Sequence, residues 1–160
     1  ANGSLLDFET SASHSITVRA TDSGGLTFDK SFSITINDVA EGTVNDGTFI
    51  GTADADVIIG DQGDNTLIGG GGDGRLTGGA GNDLFILTDG SGNDTITDFV
   101  AGAGTDDVLD ISAFGFASLF DVFNAVSQIG NDTLVQFDID DSVTLLGVIS
   151  TDLDANDFLF

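Results

Sequence analysis

The sequence has no cysteine, proline, methionine, tryptophan or tyrosine, a single histidine, and only three cations: Arg19, Lys30 and Arg75. Without cysteine there can be no disulfide, thiolate metal site or cysteine nucleophile. One imidazole, His14, cannot build a histidine zinc centre. It stands in ASHSI, and no G-x-S-x-G turn occurs to frame a nucleophilic serine for it. Paired carboxylates can hydrolyse glycosides, yet phenylalanine is the only aromatic residue, which leaves little to stack a sugar. These absences predict a chain that is not itself an enzyme. The missing methionine is expected of a processed product or an excised piece. No apolar run approaches the ~20 residues of a membrane span, and no basic, apolar amino-terminal signal is present.

Cationic charge is scarce, whereas acid is abundant. The 27 acids give a formal charge of −24 over 160 residues. Such a chain repels nucleic acid and anionic membrane surfaces, so neither is an expected partner. A disordered acidic tail is also excluded, because 40% of the residues are hydrophobic and they recur in register. Compaction therefore requires a neutralising cation. Carboxylates, amide oxygens and backbone carbonyls are the remaining ligands, and these hard oxygens suit Ca2+ first and magnesium second.

The register comes from an internal repeat. GGAGNDLFI (78–86) is preceded, in steps of nine, by GGGGDGRLT (69–77), GDQGDNTLI (60–68), GTADADVII (51–59) and GTVNDGTFI (42–50). After two inserted residues DGSGNDTIT (89–97) continues the series. Every eighth position is large and apolar: Phe49, Ile58, Leu67, Leu76, Phe85 and Ile96. Glycines allow the tight and left-handed backbone of a turn, and the extended residues after them point the eighth side chain inward. Two units thus make one coil of turn, strand, opposite turn and strand. GGGGDGRLTGG resembles a phosphate loop only superficially, since no lysine-serine ending follows.

This pattern, G-G-x-G-x-D-x-U-x, is similar to that of the RTX, or serralysin-type, calcium-binding repeats, whose fold is a right-handed parallel β-roll. The resemblance implies that each ion lies between turns two repeats apart, held by sixth-position acids and backbone carbonyls. One side would carry the turns starting at 42, 60 and 78, with Gly47, Asn65 and Asp83 at the sixth position. The other would carry those at 51, 69 and 89, with Asp56, Gly74 and Asp94. The expected ligands are therefore Asp83 and Asn65 with Gly60, Gly63, Gly78 and Gly81, and Asp56 and Asp94 with Gly69 and Gly72. Gly74 lacks a carboxylate, which weakens the turn at 69 unless the adjacent Asp73 substitutes. Asp54, Asp61 and Asp64 lie in the same turns and either support the sites or are simply solvated.

Flanking segments have a different grammar. In residues 1–41 Ile16, Val18 and Ala20 alternate with polar neighbours, as do Phe32, Ile34 and Ile36, with Leu26 and Phe28 ahead of them. TDSGG (21–25) between them predicts an antiparallel hairpin. With LDFE (6–9) and INDVAE (36–41), this stretch resembles the last strands of a cadherin-like domain. That resemblance implies calcium ligation by Glu9 and Asp38, with Glu41, toward residue 42, whereas Asp22 would face a preceding module. An exposed sheet edge here would favour self-association.

In residues 100–160 the nine-residue period is lost. DVLDIS (107–112) predicts a strand; Ser118 caps a helical pattern of Leu119, Val122, Phe123 and Val126 with Gly130 as its stop; DTLVQFD (132–138) and SVTLLGV (142–148) predict a hairpin. A solenoid needs such an end piece to cover its last coil. The order resembles the carboxy-terminal region of serralysin-type proteins, which implies a further calcium site at Asp98 and near Asp106. Asp157 to Phe160, an acid followed by three apolar residues, resembles the uncleaved signal read by type I (ABC) exporters; the structural alternative is a final edge strand.

The expected architecture is all-β: an amino-terminal antiparallel fragment (1–41), a β-roll (42–99) and a capping region with one short helix (100–160). The expected function is a calcium-binding module of a bacterial protein, secreted or on the cell surface, that folds on meeting calcium and supports type I secretion. Alternatives are a subunit of a calcium-dependent adhesin, surface layer or filament, and the accessory domain of a secreted protease or lipase.

Overall fold

The computed structural model describes residues 13–35, 39–40, 47–104 and 107–160. It divides into two compact units, 1–38 and 39–160.

In the first unit β1 (Ser13–Thr21) and β2 (Thr27–Thr35) form an antiparallel ribbon. The turn between them closes because Oδ1 of Asp22 accepts the backbone N–H groups of Gly24 (2.8 Å) and Leu26 (2.9 Å), while Gly25 takes φ 84°. Register places Ile16 opposite Phe32, Val18 opposite Lys30 and Ala20 opposite Phe28 on one face. The other face is polar: Arg19 donates two 2.6 Å bonds to Asp29, and the Thr17 and Ser31 hydroxyls meet at 2.8 Å. The apolar face stays open to solvent, with Phe28 69% exposed.

The second unit is a parallel β-roll with an end piece. Its coil strands are β3 (Val39–Ala40), β4 (Thr48–Ile50), β5 (Val57–Ile59), β6 (Thr66–Ile68), β7 (Arg75–Thr77), β8 (Leu84–Ile86), β9 (Asn93–Ile96) and β10 (Val108–Asp110). Alternate strands join opposite sheets: β4, β6, β8 and β10 stack in one and β3, β5, β7 and β9 in the other. Each pairs in parallel with the strand one coil on, as Leu67 with Phe85 and Ile58 with Leu76. Three-residue strands suffice because only the middle side chain turns inward. Phe49, Ile58, Leu67, Leu76, Phe85, Ile96 and Leu109 form that buried column. Each contributes roughly 1.5–3 kcal/mol on burial, an upper figure for a partly collapsed unfolded chain.

The end piece contains α1 (Leu119–Ala125), the antiparallel strands β11 (Val126–Ile129), β12 (Asp132–Gln136) and β13 (Ser142–Leu145), and β14 (Phe158–Leu159). Ser118 caps α1: its Oγ accepts from the Asp121 N–H and donates to the Asp121 carboxylate at 2.7 Å. β13 joins β9 in parallel and β14 joins β10, so the end piece continues both sheets and covers the last coil. Phe123 packs edge-on against Phe158, with ring centroids 5.9 Å apart.

One element differs from the sequence expectation. Val126 does not extend the helix; it begins β11 opposite Val135, and Gly130 (φ 67°) makes the hairpin turn after β11 instead of stopping α1. A β-branched residue with a cross-strand partner gains more from pairing than from another helical turn. Among the described residues no helix is long and apolar enough to cross a membrane.

Candidate metal centre

The two sheets leave a row of turns along each side of the roll. Turns 60–65, 78–83 and 97–107 stack on one side; turns 51–56, 69–74 and 87–92 stack on the other. This is the grouping that the nine-residue arithmetic predicts.

On the first side, Oδ1 of Asp83 accepts the backbone N–H of Asn65 at 2.8 Å, one coil away. Asp107 repeats the relation, accepting the N–H of Asp83 at 2.8 Å on Oδ1 and that of Val100 at 2.9 Å on Oδ2. Within its own turn Asn65 accepts the Asp61 N–H at 2.7 Å, and Oδ1 of Asp64 accepts the Asn82 N–H at 2.9 Å. Asp98 receives the N–H groups of Gly78 and Gly79 at 3.0 and 2.9 Å, which brings it to the turn that holds Asp83.

The second side follows the same plan with a gap. Asp56 accepts the Thr52 N–H at 2.5 Å, and Oδ1 of Asp94 accepts the Gly74 N–H at 2.9 Å. Asp73 does not take the sixth position beside Gly74; it reaches forward to the Asn93 N–H at 2.8 Å. Asp54 is exposed, and only its backbone N–H bonds within the turn, to the Thr52 hydroxyl.

Glycine is required where these turns nest. A Cβ on Gly60 would run into Oδ1 of Asn65 and the Gly78 carbonyl oxygen, and one on Gly78 into the Asp83 carboxylate. A Cβ on Gly81 would stand 2.6 Å from the Gly63 carbonyl oxygen, and one on Gly72 2.7 Å from the Ala55 nitrogen. Gly69 meets only ordinary contacts, and a Cβ at Gly63 has room.

Burial without a counter-charge sets the electrostatics. Desolvation raises Asp94 to about 6, partly offset by the Gly74 N–H and the Ser91 hydroxyl, with Asp73 and Asp141 adding to the rise. It raises Asp107 to about 6 against the N–H groups of Asp83 and Val100, with Asp83 and Asp98 nearby. Asp83 is raised for the same reason, with Asp98, Asp64 and Asp61 adding to the rise. Asp61, by contrast, is lowered by the Gly63 N–H and Asn65. Arg75, the one cation of the roll, is exposed and makes no ion pair among the described residues.

A hard divalent cation fits this arrangement. Carboxylate, amide and carbonyl oxygens line the nested turns, no cation pairs with the buried acids among the described residues, and Oδ2 of Asp94 is buried with no hydrogen-bond partner of good geometry.

The predicted residues therefore fall into two groups, not one centre. Asn65, Asp83, Asp64, Asp98, Gly60, Gly63, Gly78 and Gly81 belong to the first side; Asp56, Asp73, Asp94, Gly69 and Gly72 belong to the second. Glu9, Asp38, Glu41 and Asp106 lie outside the described residues. Sequence reasoning missed Asp107, although it stands two residues before the buried Leu109 just as Asp83 stands two before Phe85. It also missed Asp141, whose carboxylate accepts the N–H groups of Gly90 (2.8 Å) and Gly92 (2.6 Å).

A family model described as RTX calcium-binding nonapeptide repeat (4 copies) matches residues 41–76 and 50–85. Among solved structures, the AlgE6R2 subunit of the Azotobacter vinelandii mannuronan C5-epimerase is 30% identical, with a TM-score of 0.52 over 78% of this chain and 92% of that one. The extracellular lipase LipA of Serratia marcescens is 21% identical, with a TM-score of 0.67 over 91% of this chain. That match spans only 26% of the lipase and is a likeness of fold. No curated protein matches the sequence.

Proposed function

Because the chain belongs to the family of RTX calcium-binding nonapeptide repeats, we propose that it is a calcium-dependent folding and secretion module of a larger exported protein. The observation that carries this reading is the pair of acidic rows between coils, with a buried carboxylate oxygen left unmatched and no cation paired with the rows among the described residues. On one side Asp83 and Asn65, with carbonyls of Gly60, Gly63, Gly78 and Gly81, would hold calcium; Asp98 and Asp107 would hold it one coil further. On the other, Asp56, Asp94 and Asp73 would do so with carbonyls of Gly69 and Gly72. Bound calcium supplies positive charge and oxygen coordination between carboxylates that otherwise repel.

The roll residues then act as a conditional fold. Calcium-free, the acids oppose closure and keep the chain extended enough to thread through an exporter. Outside the cell, calcium in the ~10⁻⁴–10⁻³ M range of extracellular modules shifts the balance to the coil, by the linkage of any ligand that binds only the folded state. In the folded chain Asp157 and Phe158 are buried, so an exporter would read Asp157 to Phe160 before folding. In this reading the chain is a non-catalytic part, organised as 1–41, 42–99 and 100–160.

Far-ultraviolet circular dichroism during a calcium titration tests it, with magnesium as control. Strand signal should appear with calcium and far less with magnesium; a signal already complete in excess chelator overturns the reading.

The separate ribbon favours a second reading. Its apolar face is exposed while its described residues carry two cations and two acids, Arg19, Lys30, Asp22 and Asp29. A structural subunit joined through this region would self-associate in calcium and lose that property when residues 1–41 are deleted.

A further inference from the structure

The turns of the roll contain two aspartates followed directly by glycine, Asp73-Gly74 and Asp89-Gly90; a third pair, Asp46-Gly47, begins outside the described residues. This dipeptide has a reactivity of its own. Glycine puts no side chain over its amide, so the amide nitrogen can reach Cγ of the preceding aspartate and close a five-membered ring. A Cγ–N bond forms as the carboxyl hydroxyl leaves with the amide proton as water. Solvent water then opens the succinimide. Attack at Cγ restores aspartate, whereas attack at the main-chain carbonyl leaves an isoaspartate whose backbone runs through Cβ and Cγ. Mass is unchanged, but the main chain is longer by an atom.

The fold holds the two pairs differently. At the first, both reacting groups are pinned by the next coil: Oδ1 of Asp73 accepts the Asn93 N–H at 2.8 Å, and the buried Gly74 donates its N–H to Oδ1 of Asp94 at 2.9 Å. Ring closure there must break both bonds, so the coils have to part. At the second, Gly90 donates its N–H to Asp141 at 2.8 Å, but the Asp89 side chain is exposed and accepts no hydrogen bond among the described residues. Gly90 is exposed as well, with open space where a Cβ would stand. The consequences of an added main-chain atom also differ. Next to Gly74, the Arg75 N–H donates to the Asp56 carbonyl at 2.8 Å and the Gly74 carbonyl accepts the Thr95 N–H at 2.9 Å. Lengthening the chain at 73 pulls these bonds out of line and displaces the buried Leu76. At 89 the extra atom falls in an exposed turn, with Gly90, Ser91 and Gly92 still ahead of β9.

We propose that both pairs are sites of spontaneous isoaspartate formation: Asp89 converts in the folded chain and is tolerated, while Asp73 converts only when coils separate, after which that coil cannot close again. A reaction that needs opening tracks the population of the open form. Time spent open is thereby written into the covalent structure, and a chain left open too long loses the ability to fold. That calcium is what keeps the coils closed rests on the calcium reading of the roll; the reaction itself does not.

The test stores the full chain for several weeks at neutral pH in calcium, in chelator and in guanidinium chloride. Asp89→Glu is stored beside it, since glutamate would need a slower six-membered ring. Isoaspartate is located by peptide mapping with electron-transfer fragmentation, and samples returned to calcium are checked for refolding by circular dichroism. In calcium, conversion at 89 should be at least tenfold faster than at 73, and it should be lost in Asp89→Glu. In guanidinium chloride the two sites should convert at similar rates, and the chains that then fail to refold should be enriched in isoaspartate at 73. Conversion at 73 as fast in calcium as in denaturant would overturn the proposal. So would conversion at 89 no faster than at 73 in calcium, or full refolding of chains converted at 73. If chelator behaves like calcium while denaturant still exposes 73, the proposal stands and the calcium reading of the roll is lost.

Discussion

The two sides of the roll share one set of buried strands and differ in their turns. On the side of turns 60–65, 78–83 and 97–107 the sixth-position series runs Asn65, Asp83 and Asp107, each one bonded to the next through a backbone N–H. On the opposite side Asp56 and Asp94 flank Gly74, and Asp94 accepts the N–H of that glycine, which has no side chain to continue the row. The first row is knit together by hydrogen bonds before any ion arrives. The second leaves Oδ2 of Asp94 unmatched. The apolar column therefore dictates the coil, while the turn residues would set how strongly each side depends on calcium in the proposed function.

The largest expected effect comes from removing the centre of the knit row. Asp83→Ala strands the buried Asn65 N–H, which costs about 1–3 kcal/mol, and it should raise the calcium midpoint more than Asp56→Ala does. Thermal unfolding in chelator and in calcium measures both parts; equal effects of the two variants would erase the difference between the sides. Next is Gly74→Asp, which adds the missing carboxylate. Gly74 needs no left-handed backbone, but its Cβ would stand 2.8 Å from Oδ1 of Asp94. Stability should fall in chelator and calcium should bind about tenfold tighter, or about 1.4 kcal/mol. An unshifted titration midpoint would show that the turn at 69 takes no part in binding.

Protons sharpen the same contrast. Burial holds Asp94 and Asp107 at about 6, against an ordinary 3.8. Without calcium, the stability these groups contribute is full below their unfolded value and is lost as pH rises through about 6. Calcium-free roll should therefore be less stable at pH 7 than at pH 5. Ion binding needs the carboxylates, so the calcium midpoint should rise as pH falls below that same value. Chelator-state melting and calcium titration across this range check the two opposite slopes. Asp54→Ala should do least: its side chain is exposed and bonds nothing, so the calcium midpoint should stay where it is.

Much of this organisation was legible because a repeat states its rule several times. Phe49 to Ile96 at eighth positions identified the buried column, and counting in nines sorted the turns onto their sides. The rule failed where its length varied. Turn 97–107 has more residues than its predecessors, so Asp107 fell out of phase although its relation to Leu109 is the same. Asp141 was invisible because its partners are the N–H groups of Gly90 and Gly92, a long-range contact without a local pattern. Val126 was misread because apolar spacing there fits a helix, whereas pairing with Val135 is tertiary.

Each coil of the roll bonds mainly to its neighbours, with partners such as Asn65 and Asp83 18 residues apart. Under a pulling force such a stack peels from an end, releasing one coil at a time. Eighteen residues correspond to about 60 Å of extended chain. Tension across this protein would thus be relieved in discrete lengths, with each bound ion acting as a latch on the next.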